Sequence, residues 1–165
     1  MRGLVSIPPF SSRSKPSAQP QPASGAGFFA IDRTRKGGGA STSHLVPAAY
    51  WKLIQFDVYL ARGNFAVLCQ TVRNYPVNKK TPSPDAVEQI CGAMDMASIW
   101  YWKQALCLQR SAATACLLKS CGVAAQMVIG AQQIPFKAHA WVEVDGRVVN
   151  DKPYTPEIYA VLDRC

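Results

Sequence analysis

The sequence changes its hydrophobic period once, at Gly122, and that change limits the folds open to it. Ahead of Gly122 apolar residues recur every three or four positions; behind it they fall into short β-branched runs. The stretch "AAYWKLIQFDVYLARGNFAVLCQTVRNY" sets Trp51, Ile54 and Val58, and Leu53, Phe56 and Leu60, at helical spacing, with a break at Gly63. "PVNKKTPSPDAVEQ" reads as a loop entering a helix, with Ser83 as the cap and Pro84 in the first helical position. Val87, Ile90, Cys91, Met94 and Ala97 form the next apolar stripe, and "ASIWYWKQAL", with Trp100, Tyr101 and Trp102, reads as further core packing. "CLQRSAATACLLKSCG" is another helix, with Leu108, Ala112, Ala115 and Leu118 on one face and Gly122 closing it. "VAAQMVIGAQ" is β-like, and "HAWVEV" and "RVVND" flank Asp145-Gly146 as a hairpin. Helices followed by one helix feeding a short antiparallel sheet predict an α+β fold.

Residues 1–47 differ in kind: Ser, Pro, Gly and Ala dominate, which predicts a disordered tail ahead of a domain at 48–165. Of the net charge of +8, the tail carries six basic residues against Asp32, so the domain keeps only +3. The domain's longest basic run is Lys79-Lys80, in a Pro-flanked loop, so nucleic-acid binding is not expected. No run of apolar residues is long enough to predict a membrane span. Four of the six cysteines sit in apolar, helix-like runs, and no secretory-type apolar segment opens the sequence. A disulfide framework is therefore not expected, and a reducing, cytoplasmic setting is. Without a C-x-x-C pair or a metal-spaced neighbour for either histidine, neither zinc nor any other cofactor is expected.

Thiol chemistry needs a cysteine, a histidine to take its proton, and a group that orients the imidazole. Cys107 is the candidate because it opens a helix, where unpaired N–H groups and the macrodipole favour the thiolate. Ser111 and Thr114 follow on the same face and are small enough to leave room for a substrate; Cys116 and Cys121 belong to packing. Between His139 and Asp151 the hairpin geometry decides. A two-residue loop at Asp145-Gly146 would set Asp151 opposite Ala140, on the side away from His139. A three-residue loop, Val144-Asp145-Gly146, would set His139 opposite Asp151, Glu143 opposite Arg147 and Val142 opposite Val148; this is the register expected. Asn150 remains an alternative orienter.

The run from Cys107 to Asp151 resembles the transglutaminase-like, papain-superfamily leader peptidases of lasso-peptide biosynthesis, the family of microcin-processing maturation proteins. The matching residues are Cys107, Leu108, Arg110 and Ser111; Gly122 and Val123; Pro135, Phe136 and Ala138 to Glu143; and Asn150 and Asp151. The match is close over 105–151 and weak from about residue 48; Ala112 stands where the family usually has a larger aliphatic residue. The resemblance implies a papain/transglutaminase-like fold in which a catalytic helix packs on a short sheet. It implies Cys107 as nucleophile, His139 as general base and then acid, and Asp151 as orienting carboxylate, in ATP-independent hydrolysis that removes the leader from a ribosomally made precursor. It also implies a winged-helix-like leader-recognition protein as a separate chain, since residues 1–47 are too polar to be that domain, and an asparagine-synthetase-like lasso cyclase that takes the product. Transfer to an amine, as in true transglutaminases, and a non-catalytic assembly role are the other readings. The Cys107 N–H is an expected oxyanion donor, with Gln104 as a second; Arg110 is expected to pair a structural carboxylate such as Asp163, and Tyr154 to Cys165 to be structural. Trp141, on the histidine face, is expected in the core or walling the cleft.

Overall fold

The computed structural model describes residues 43–165. The expectation of a disordered tail falls, up to residue 42, outside the described residues. Four helices come first: α1 (Val46–Ala61), α2 (Phe65–Arg73), α3 (Ala86–Ile99) and α4 (Cys107–Ser120). The strands β1 (Ala125–Gln132), β2 (Lys137–Val144) and β3 (Arg147–Val148) follow, then a single turn α5 (Thr155–Ile158) and a last strand β4 (Ala160–Arg164). The sheet is antiparallel, in the order β3-β2-β1-β4, and the fold is α+β as the change of period predicts.

The helical stripes are real, but their faces are narrower than periodicity suggests. In α1 the buried residues are Ala49, Leu53 and Phe56, whereas Trp51 and Val58 are exposed. Gly63, at φ +68°, breaks the chain between α1 and α2. Ser83 does not cap α3: the helix starts at Ala86 with Asp85 in the cap position, and Ser83 serves only through its carbonyl, which accepts the Ala86 N–H. Trp100 and Trp102 are each 73% exposed, and only Tyr101 between them is buried. The chain has left the helix by then, so the three aromatics no longer share a face.

Helix α4 is central to the packing of the described residues. Ten of its fourteen residues are buried, packed against α1 and α3 on one side and β1 and β2 on the other. Its C-terminal end is a Schellman motif: Gly122 N–H donates to the Lys119 carbonyl, and Val123 N–H to that of Leu118. Gly122 sits at φ +88°, and a Cβ there would lie 2.1 Å from the Lys80 carbonyl oxygen, so the α2–α3 loop passes where only glycine fits. Buried Lys119 reaches sideways and donates to the Val72 carbonyl in the last turn of α2 (2.6 Å), a carbonyl that also accepts the Tyr75 N–H (3.3 Å).

The hairpin corrects the expected register. Val144 pairs Arg147 and Glu143 pairs Val148, so the loop is the two-residue Asp145-Gly146, with φ of +50° and +74°. Positive φ at both positions suits a tight hairpin turn whose twist matches its strands. Glu143 therefore does not face Arg147; it binds Arg164 and accepts from the Trp141 indole N–H (2.8 Å). The residue after β3 adds one more ladder bond, Val149 N–H to the Val142 carbonyl (3.0 Å), and the chain then turns away.

Candidate active site

Cys107 is the first residue of α4, and the cap position before it is Leu106, whose side chain has no oxygen to offer the first-turn N–H groups. Those donors stay available at the thiol. What holds the helix start is buried Gln109, which periodicity did not mark: its Nε2 donates to the Leu53 carbonyl on α1 (2.9 Å), and its Oε1 accepts the Leu106 N–H (3.4 Å). The approach to Cys107 is pinned as well. The Tyr101 hydroxyl donates to Asp57 (3.2 Å), which also pairs with Lys103 (2.6 Å).

His139 lies on β2 opposite Gly130 of β1, and its Nε2 is in contact with the Asp151 carboxylate Oδ2. This leaves Nδ1 as the ring nitrogen available to Cys107, on whose thiol the imidazole acts electrostatically. Burial pushes the Cys107 thiol up, but hydrogen bonds with His139 and with the main chain of Ala140 and Leu108, together with the imidazole charge, carry it below its ordinary value. His139 is raised to about 9, first by its hydrogen bond to Asp151 and then by that to Cys107, against an opposing effect of burial. Burial also pushes the Asp151 carboxyl up, yet His139, the Lys152 N–H and the Arg110 charge hold it below its ordinary value. These shifts favour a thiolate and an imidazolium side by side, with a carboxylate behind them.

Asp151 reaches His139 despite the two-residue turn because β3 stops early. Where strand pairing would continue, the Asn150 side chain replaces it: its Oδ1 accepts the Val142 N–H (2.7 Å), and its Nδ2 donates to Ser111 Oγ (3.0 Å). The Asn150 carbonyl accepts from Arg110 (2.6 Å). Held at three points, Asn150 is not the orienter of the imidazole; it fixes the turn that presents Asp151. Ser111 is likewise committed, donating to the Ala140 carbonyl (2.9 Å). Ser111 and Thr114 are both fully buried and leave no open face for a substrate, contrary to expectation.

Arg110 lies between the Asn150 carbonyl and Asp95, at 3.8 Å, while the expected partner Asp163 is bound to Arg73 instead. Gln104 is exposed. The last segment does more than complete the sheet. Tyr159, between α5 and β4, packs on the His139 ring with centroids 5.1 Å apart, and Trp141, fully buried, lies beside both rings. A Cβ at Gly130 would come within 2.8 Å of the Trp141 ring, so a residue without a side chain makes room for this aromatic layer. Sequence reading missed Tyr159 because it lies outside every periodic stretch.

The family model described as "Transglutaminase-like superfamily" matches residues 50–164. A stretch of 56 residues is 47% identical to the Microcin J25-processing protein McjB of Escherichia coli, covering 34% of this chain. It covers 27% of that relative, so the likeness spans about a quarter of the relative's length. No solved structure matches.

Proposed function

The chain belongs to the transglutaminase-like superfamily, and on that premise we propose that it is a cysteine peptidase that removes the leader from a ribosomally made, lasso-type precursor peptide. The observation that carries this reading is the His139 imidazole held at Nε2 by Asp151, together with the Cys107 thiol at a helix start whose cap residue offers no oxygen, lowered from its ordinary value by His139. The likeness to a protein named for microcin processing supports the choice of substrate class.

In this reading the Cys107 thiolate attacks the scissile carbonyl carbon. The oxyanion that forms takes the first-turn N–H groups of α4, Cys107 among them, as donors. Imidazolium His139 gives its proton to the departing amine, which leaves as the new N-terminus of the core peptide. A water then loses a proton to His139 and adds to the thioester; collapse releases the leader as a carboxylic acid and restores the thiolate–imidazolium pair. Asp151 keeps the ring oriented and favours its charged form throughout. No step consumes ATP. The freed amine is the nucleophile that an asparagine-synthetase-like cyclase would require, and a separate winged-helix-like protein would hold the leader. The setting is cytoplasmic.

The test incubates the protein and such a recognition protein with a candidate precursor and follows mass. Loss of the leader in the native protein, and its retention in Cys107→Ala and His139→Ala, supports the peptidase. A mass gain on added amine would move the assignment to acyl transfer, and no change with the native protein would remove both.

A further inference from the structure

The fold brings together two thiols that lie far apart in sequence and that the proposed chemistry does not use. Cys69, in α2, and Cys165, the residue after β4, are both buried, each 5% exposed. With the Asp163 carboxylate they form a cluster whose ligand atoms all lie within 4.8 Å of one another. Cys165 Sγ is 3.7 Å from Asp163 Oδ2.

We propose that Cys69, Cys165 and Asp163 form a binding site for a thiophilic divalent cation of the zinc type, separate from the Cys107 centre. Tetrahedral bonds of about 2.3 Å to sulfur and about 2.1 Å to oxygen put ligand atoms roughly 3.6–3.8 Å apart; Cys165 and Asp163 already stand at 3.7 Å, and the whole group, within 4.8 Å, needs side-chain shifts of about 1 Å at most to close on an ion. Two sulfurs and one carboxylate select a borderline-soft cation over calcium or magnesium, and water takes the fourth position. Both sulfurs are held by regular structure. Cys165 is fixed on the sheet by two main-chain bonds with Met127 (2.7 and 2.9 Å), and Cys69 lies in the middle of α2.

Charge fits as well. On binding, each thiol gives its proton to solvent, so a dication with two thiolates and one carboxylate leaves the site at −1. Arg73 stands ready to balance it: its guanidinium donates to both Asp163 oxygens (3.0 Å each) and faces Cys165 Sγ at 3.9 Å. Being half exposed, it can keep one Asp163 oxygen while the cation takes the other. Arg73 and Cys165 also line an open cleft with Lys119 and Glu143, which gives the ion a way in. Once bound, the ion would tie α2 to the end of the sheet, a link that cysteine spacing cannot reveal.

The experiment uses the full chain carrying Cys107→Ser, which removes the thiol beside His139 as a competing site. Cadmium is titrated under reducing conditions while the ultraviolet thiolate-to-metal band and proton release are recorded. The expected result is saturation at one ion per chain with two protons released. Cys69→Ala should lose about half the band, and the exposed substitution Asp163→Asn should keep the band but bind on the order of 10–100-fold more weakly. Zinc should raise the melting temperature of the Cys107→Ser protein and leave that of Asp163→Asn nearly unmoved, a readout independent of how well Cys69→Ala folds. Absence of the band at saturating cadmium, or a titration unchanged by Asp163→Asn, overturns the proposal. So does a disulfide between Cys69 and Cys165 that persists in reductant and excludes the metal.

Discussion

Asn150 Oδ1 accepts the main-chain N–H of Val142 at 2.7 Å, in the place where a neighbouring strand's carbonyl would otherwise stand. A side chain thus ends the ladder, and the next residue, Asp151, is free to turn toward His139. Asn150→Ala should leave the Val142 N–H and the Ser111 hydroxyl short of partners, costing about 1–3 kcal/mol. A denaturant midpoint measures that cost. Activity should fall further than stability explains, because the turn that carries Asp151 loses its anchor; an Asn150→Ala protein as active as the native one would show that Asp151 needs no such support.

Cys107 should react with iodoacetamide faster than the other five cysteines at neutral pH, since it alone pairs with an imidazole. Cys116 sets the contrast, with burial pushing its thiol up to about 11. Peptide mapping after brief labelling reads the order. Asp151→Asn should slow Cys107 labelling and lower kcat by roughly 10²–10⁴-fold, the range expected when an orienting carboxylate is lost.

The pH profile follows from the same pair. On the proposed mechanism activity needs the thiolate and the protonated imidazole together, so it should rise through the lowered Cys107 value and fall again near pH 9, where His139 gives up its proton. Stability obeys a related rule. The His139 value in the folded chain, about 9, lies above its ordinary 6.5, so the stabilisation from its pairing is complete below 6.5 and lost as the pH rises through 9. His139→Gln should abolish that alkaline decline in thermal-melt series across pH; an identical decline in both proteins would assign it elsewhere.

Two glycines separate backbone freedom from crowding. Gly63 and Gly122 both have positive φ, but a Cβ at Gly63 meets nothing within 4 Å, whereas at Gly122 it meets the Lys80 carbonyl. Gly63→Ala should cost about 1 kcal/mol from the left-handed backbone alone, and Gly122→Ala about 2 kcal/mol or more. Equal melting shifts would mean that the α2–α3 loop yields readily.

Tyr159→Phe should leave activity near native, because the contact with His139 is a ring contact, while Tyr159→Ala should lower kcat and shift the alkaline limb of the profile. A change in stability with no shift of that limb would reduce Tyr159 to packing.

Much of this was legible in the sequence. The change of period gave α+β, the position of Cys107 at a helix start was readable, and Gly122 marked the helix end. What was not legible depended on single residues acting at a distance. Strand pairing arithmetic assumes that the ladder continues, so it tied the His139–Asp151 contact to a three-residue loop; Asn150 breaks that assumption. Arg110 and Asp163 found other partners because pairing between side chains is set by tertiary approach, which charge alone does not specify. Residues 160–164 complete the sheet beside β1 although every one of them is exposed, so they carry no buried pattern to recognise.

The burial of α4 has a consequence for change over time. The mount of the thiol is shared with nearly every other element, so almost any substitution along it disturbs the whole interior. The connections leading to or from Cys107, His139 and Asp151 are different: they carry Trp102, Phe136 and Tyr154 in the open. If the proposed peptidase reading holds, preference for one peptide over another can drift along these rims while Cys107, His139 and Asp151 stay where the core has set them.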